Sequence, residues 1–253
     1  IDLEEQIRLN KYLSTCGYCS RREADRLLEQ GRVSIDGIPA GLGDKVMSGQ
    51  CICVDGEPVV KNTDQVVIAF HKPAGVVCTS SKRDRDNIID YIGFKERIYP
   101  VGRLDKDSTG LILLTNNGEL TDRILRGKNG HEKEYKVTVD KPVSEEFLRQ
   151  MAQGVRLRDT EKGMDVLTRP CRTEKVGKYT FSIVLTQGLN RQIRRMCEAL
   201  GYRVKRLLRV RIMNIELGGL KPGAVRKLTE QELKELYERI EESQNVGVSE
   251  AAE

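Results

Sequence analysis

The chain has no tryptophan and only two histidines, and its other aromatics are eight Tyr and four Phe. That supply is too thin for continuous stacking on many nucleobases, so any nucleic-acid partner would be a folded one, held through shape and phosphates. Long hydrophobic runs are also missing. The best stretches, residues 66–70 (VVIAF) and 111–114 (LILL), fall far short of the roughly 20 residues a membrane helix needs. No basic start followed by an apolar segment suggests export. The chain opens at Ile1 rather than methionine, which leaves room for residues ahead of it. Its seven cysteines are an odd number, which suits a reducing compartment, and the expectation is a cytoplasmic protein without a membrane partner.

Charge is abundant but unevenly placed. Between Arg169 and Arg211 stand twelve Lys or Arg and two Glu, whereas from Glu230 on there are eight Glu against Lys234 and Arg239. A basic block with so few interspersed acids fits a polyanion better than a solvated face. Two cysteine pairs, Cys16 with Cys19 and Cys51 with Cys53, raise the question of zinc. The second pair alternates as in a strand, with both thiols on one face, and small buried residues are the preferred reading. No metal is expected.

The first sixty residues read as a separate module. Ile7, Leu9, Tyr12 and Leu13 have near-helical spacing, and "SRREADRLLEQG" is a capped helix with Ser20 and Glu23 as its capping box and Gly31 as its stop. "RVSIDGIPA" is a hairpin about Asp36–Gly37. Arg21 and Arg22 stand in the first helical turn, where the macrodipole disfavours cations and the free N–H groups favour an anion. After a polar connection near residues 55–65 come buried strands around "HKPAG". A strand and helix follow in "LILLTNNGELTDRIL", then a strand in "EYKVTVD" and a helix from Ser144 to Gly154. "TFSIVLT" is a strand and "NRQIRRMCEALG" a helix. In "LRVRIMNIEL" the apolar phase slips by one residue, which predicts a bulge. Thr229 and Glu232 cap a last helix, and residues 243–253 are expected to be a flexible acidic tail. Irregular alternation of strands and helices indicates an α+β fold.

In "VGRLDKDSTG" two carboxylates, Asp105 and Asp107, lie among Arg103 and Lys106, far from either histidine. Arg103 beside Asp105 would hold it ionised, which spoils it as a general acid and suits a nucleophile. Paired-carboxylate hydrolysis needs a second, protonated acid. Asp107, facing the same way in an extended segment beside Lys106, does not supply one. The plainer alternative, that both aspartates order a loop with Ser108 and Thr109, is the stronger reading on composition alone.

The strings themselves say more. "RLNKYLSTCGYCSRREADRLLEQGRVSIDG" resembles the small RNA-binding module named after ribosomal protein S4, over about residues 7–54. The likeness makes Arg8, Lys11, Arg21, Arg22 and Arg26 candidate RNA contacts. "GRLDKDSTGLILLTNNGEL" resembles the catalytic motif of the pseudouridine synthases that modify ribosomal RNA. "HKPAGVVCTS", "HEKEYKVTVD" and "QGLNRQIRRMCEALGYRVKRLLRVRI" resemble that family's other motifs, in order. The likeness runs from Arg8 to about Leu236. It falls in the RsuA-like family that carries an S4 module, nearest the branch called 23S rRNA pseudouridine synthase F.

The resemblance implies an S4-like module at residues 1–60 and, at residues 61–242, a catalytic domain built on a mixed, largely antiparallel sheet. It implies isomerisation of a flipped-out uridine in 23S rRNA, without cofactor, by a monomer. Asp105 would attack either ribose C1′ or base C6. Tyr135 would pack on the base and help remove the C5 proton, unless it is simply a core strand residue. Arg194, at the edge of the buried face of its helix, would pair with Asp105. Ile193 would line the uracil pocket, and Arg103 would orient the loop or hold the nucleotide's phosphate. Arg191 and Arg195 point the other way on the wheel, towards solvent or phosphate. Two alternatives stand: the same chemistry on a transfer RNA anticodon arm, or a non-catalytic RNA-binding ribosome-assembly factor. An intact Asp105, Tyr135 and Arg194 set counts against the second.

Overall fold

A computed structural model describes residues 6–60, 64–126, 130–159 and 163–249. These divide into two compact units, one up to Val66 with Asn116–Gly118, the other from Val67 to Thr115 and from Glu119 on.

The first unit is built from β1 (Ile7–Arg8), α1 (Leu9–Thr15), α2 (Arg21–Glu29), β2 (Val33–Ile35), β3 (Ile38–Pro39), β4 (Lys45–Val46), β5 (Ile52–Val54) and β6 (Glu57–Pro58). Ser20 caps α2 as expected, its Oγ accepting from the Glu23 N–H at 3.1 Å. Ala24, Leu27 and Leu28 are buried against Leu9 and Leu13 of α1 and Val33, Ile52 and Val54 of the small sheet. The β2–β3 turn puts both Asp36 and Gly37 at positive φ, 50° and 81°, the twist a two-residue hairpin turn requires.

The second unit holds β7 (Val67–Lys72), α3 (Ile88–Ile92), β8 (Tyr99–Val101), β9 (Thr109–Thr115), α4 (Gly118–Leu125), β10 (Lys133–Val139), α5 (Glu145–Gln153), β11 (Arg156–Asp159), β12 (Met164–Leu167), β13 (Arg172–Gly177), β14 (Thr180–Leu185), α6 (Gln192–Ala199), β15 (Val204–Ile212), β16 (Ile215–Glu216), β17 (Val225–Lys227) and α7 (Glu230–Ser249). Its main sheet runs β13-β14-β10-β15-β9-β7-β17, with β16 on β15 and β8 on β9. Every pairing in it is antiparallel except β15 with β9. The α+β class and the largely antiparallel sheet are as expected.

Central β9 is buried along nearly its whole length, and that is why "LILL" is apolar at consecutive positions rather than alternate ones. One core cluster joins β10, β14 and β15 to α5 and α6 through Val137, Phe147, Phe181, Ile183, Ile193 and Met196. A second joins β7 and β9 to α4 and α7 through Ala69, Leu111, Leu113, Ile124, Leu236 and Ile240. Fully burying one such side chain is worth roughly 1.5–3 kcal/mol.

Three expectations need correction. The phase slip at residues 212–213 is a hairpin turn, not a bulge. Ile212 pairs with Ile215, and Met213 takes the left-handed φ of 52° that the turn demands. A bulge does exist, but at Val210, between the pairings Glu134↔Arg211 and Tyr135↔Arg209. The segment from 243 continues α7 as far as Ser249; at its start the Ser243 hydroxyl donates to the Ile240 carbonyl at 2.8 Å, and its Oγ meets Nε2 of His131 at 3.0 Å. Residues 250–253 lie outside the described residues. After the Lys72–Pro73 turn there is no second strand, only an isolated bridge from Val77 to Asn87. The four cysteines considered for zinc do not converge, and no group of three metal-ligating side chains occurs among the described residues.

Candidate active site

The segment joining β8 to β9 carries Asp105 and Asp107. It is a turn rather than an extended stretch, since the Ser108 N–H donates to the Asp105 carbonyl at 3.0 Å. Beneath it lies Lys72, wholly buried at the end of β7, whose Nζ donates to the carbonyls of Pro73 (2.8 Å), Val76 (2.9 Å) and Lys106 (3.2 Å). Burial lowers the pKa of that ammonium, while Cys78, Asp107 and Asp105 favour the charge. Lys72 thus ties the "HKPAG" turn to the peptide unit between the two aspartates. A lysine ending an otherwise apolar buried strand was the signal for it in the sequence.

Both carboxylates meet guanidiniums from the start of α6. Arg194, its side chain 10% exposed, brings Nε to 3.8 Å from Asp105 Oδ2 and Nη2 to 3.3 Å from Asp107 Oδ2. Its Nη2 also donates to the Ser108 hydroxyl at 3.1 Å. Arg191 reaches both carboxylates at 3.3 Å, against the expectation that it faces away. The reason is local: Arg191 is the N-cap of α6 with a left-handed φ of 49°, so its side chain leaves the direction a helical wheel assigns. Arg103, expected to hold Asp105 ionised, is exposed and makes no ion pair with it among the described residues. Lys106 turns to Asp86 at 3.1 Å instead of Asp107. Partial burial works against ionised Asp107, but the Arg191 hydrogen bond and the Arg194 charge outweigh it and leave the carboxyl below its ordinary pKa.

Three cavities open beside this turn: one, about 700 Å³, runs along Ala74, Val77, Cys78, Lys106 and Asp107, and two lie on the side of Tyr135. The smaller of these two is walled by Asp105, Tyr135, Leu185, Ile193, Arg194 and Leu207. The larger, about 430 Å³, includes Arg103, Asp105, Arg126, Lys133, Tyr135 and Arg209. Tyr135, half-buried near the start of β10, packs against the apolar core and borders both of these cavities. Arg195 is half-buried and engaged. Arg8, Lys11, Arg21, Arg22 and Arg26 are exposed on the first unit, with Arg26 paired to Glu23 at 2.8 Å. The sequence reading missed Lys133 and Arg209, although "RLLRVRI" places Arg209 in phase with buried Leu207.

The Asp105 carboxylate thus stands within ion-pair distance of two guanidiniums, with 29% of its side chain open to a cleft. On the same helix as Arg194, burial pushes the Cys197 thiol up to about 12.

Comparison with known proteins agrees with this geometry. Residues 66–199 match the family model described as RNA pseudouridylate synthase, and residues 7–50 match that of the S4 domain. The chain is 50% identical over 242 residues to the dual-specificity RNA pseudouridine synthase RluF of Escherichia coli K12, covering 95% of this chain and 81% of that one. It is 35% identical over 247 residues to the ribosomal large subunit pseudouridine synthase B of Bacillus subtilis, covering 94% and 98%. A solved pseudouridylate synthase superposes with a TM-score of 0.66 at 30% identity, over 91% of this chain and 99% of the other. The motifs, the sheet and these relatives agree, and the chain belongs to the RsuA-like RNA pseudouridine synthases, isomerases that convert uridine in RNA to pseudouridine, here with an S4 domain ahead of the catalytic one.

Proposed function

We propose that this enzyme isomerises a uridine of 23S ribosomal RNA in the cytoplasm, with Asp105 as nucleophile. The observation that carries the reading is the pairing of Asp105 with Arg194 and Arg191 at the mouth of a cavity bordered by Tyr135. The target nucleotide leaves the RNA stack, at about a few kcal/mol, and its base enters the smaller cavity between Ile193, Leu207 and Tyr135. Asp105 attacks the nucleoside, the N1–C1′ bond breaks, the uracil turns in place, and C5 bonds to C1′ as the bond to Asp105 breaks and frees the carboxylate. C5 gives up a proton and N1 gains one, so the isomerisation balances without a redox partner. Tyr135 packs on the base and passes on the C5 proton, Arg194 holds the carboxylate in place, and Arg103 steadies the flipped nucleotide. The S4 unit holds folded RNA through Arg8, Lys11, Arg21, Arg22 and Arg26.

Asp105→Asn should leave RNA affinity within about twofold and remove pseudouridine formation, because the amide cannot act as the nucleophile. Equal turnover by mutant and parent would end the assignment. Mapping new pseudouridines in ribosomal and transfer RNA from cells with and without the protein tests the substrate. A transfer RNA anticodon arm is the second reading, favoured by the 50% identity to a relative named as dual-specificity.

A further inference from the structure

Arg209 stands directly across from Tyr135 on the adjacent strand, and Lys133 lies two residues before Tyr135 on β10. Two-residue spacing puts Lys133 and Tyr135 on one face of the sheet. All three line the larger cavity, while Ile193, Arg194 and Leu207 line only the smaller.

Arg209 is 3% exposed. Its Nε donates to the Leu111 carbonyl at 2.7 Å, but its buried Nη2 has no hydrogen-bond partner among the described residues. The Lys133 side chain makes neither a hydrogen bond nor an ion pair among them. Burial, and then the charge of Arg209, hold its ammonium below the ordinary lysine pKa. Two desolvated cations side by side are a loss to the folded protein, and apolar residues of similar size would serve the sheet better. The bond to Leu111 accounts for one arm of the Arg209 fork and for nothing of Lys133. Asp105 is the one carboxylate lining this cavity, against Arg103, Arg126, Lys133, Arg191 and Arg209, and Arg191 and Arg194 already engage it.

We propose that Lys133, backed by Arg209, forms an anion subsite for a backbone phosphate of the RNA next to the target uridine. The inference rests on the RNA-isomerase reading and adds to it a division of labour: base in the smaller cavity, phosphate in the larger. A phosphodiester brings a full negative charge and free acceptor oxygens to two unmet cations, whereas a uracil carbonyl brings only a partial one.

The test is Lys133→Met, with Lys133→Arg beside it, assayed on a hairpin RNA and on the same hairpin carrying neutral methylphosphonates at the linkages flanking the target. For Lys133→Met, KM should rise about tenfold, as expected for a lost charge-assisted hydrogen bond, with the loss absent at saturating RNA. The slope of log kcat/KM against log salt should shrink by about 1. Lys133→Arg should restore both. Methylphosphonate should weaken the parent as the mutation does and cost the mutant nothing more. Without RNA, Lys133→Met should melt about 2–4 °C higher, since a buried unpaired charge is gone. An unchanged KM and slope, additive penalties, or a lower melting temperature would overturn the subsite. A loss confined to the saturated rate would overturn it too, in favour of contact with the uracil oxygens. A parent that makes no pseudouridine fails the isomerase reading itself and takes the subsite with it, a result visible before any variant is compared.

Discussion

At the scale of single residues the site is an exchange of charge between one turn and one helix start. Arg194 is the better placed of the two guanidiniums, being 10% exposed where Arg191 is 44%. Shielded from water, it interacts more strongly with the carboxylates than its exposed neighbour does. Arg194→Met should therefore lower kcat by about a hundredfold, the usual consequence of removing one preorganised charge partner. Arg191→Ala should lower kcat less and raise KM more, because an exposed arginine with a left-handed backbone is freer to follow the RNA. Single-turnover kinetics on one hairpin substrate separate the two. Equal losses in kcat would show that the carboxylates do not distinguish their partners. The pairing of Asp105 with Arg194 was legible in the sequence because an arginine at the border of a buried helical face needs a carboxylate. The part played by Arg191 was not, since nothing in "LNRQIRR" announces a positive φ on a non-glycine residue.

At the scale of elements, β9 and β15 are the joint on which the site turns. Gly110 takes a φ of 113°, and a Cβ there would lie 2.3 Å from the Arg209 carbonyl and 2.6 Å from its nitrogen. Gly110→Ala should cost about 2–4 kcal/mol, since both the backbone conformation and the strand approach oppose a methyl group. Urea unfolding measures this, and a loss under 1 kcal/mol would mean that the strands part easily. Three helices were legible from their ends, whereas α3, capped by Asn87, was missed. Ser20, Ser144 and Thr229 each accept the expected cap bond at 3.1 Å, and Glu232 answers Thr229 reciprocally at 2.8 Å. The β11–β12 hairpin, β13 and β17 were missed. Each is short and polar, and the identity of such strands comes from their sheet neighbours rather than from their own pattern. The Val210 bulge was misplaced for a related reason: the Met213 turn leaves the same phase slip in the apolar pattern, and only the register separates the two.

At the scale of the whole molecule, the proposed function divides RNA binding between a basic stretch in the catalytic unit and exposed cations on the S4 unit. Replacing Arg8, Lys11 and Arg22 together with glutamine should lower the salt slope of RNA binding by about 2 to 3, one phosphate contact each, and leave the saturated isomerisation rate unchanged. Titration at several salt concentrations checks this, and an unaltered slope would assign the first unit another role. Order of synthesis bears on the catalytic unit as well. Leu111 and Arg209, bonded across β9 and β15, are 98 residues apart along the chain. At about 5–20 residues per second, the aspartate turn leaves the ribosome roughly 5–20 s before the strand that seats it. Throughout that interval the aspartate turn lacks β15, the strand against which β9 and Gly110 must pack. The central sheet of the catalytic unit therefore cannot close until most of that unit has been synthesised.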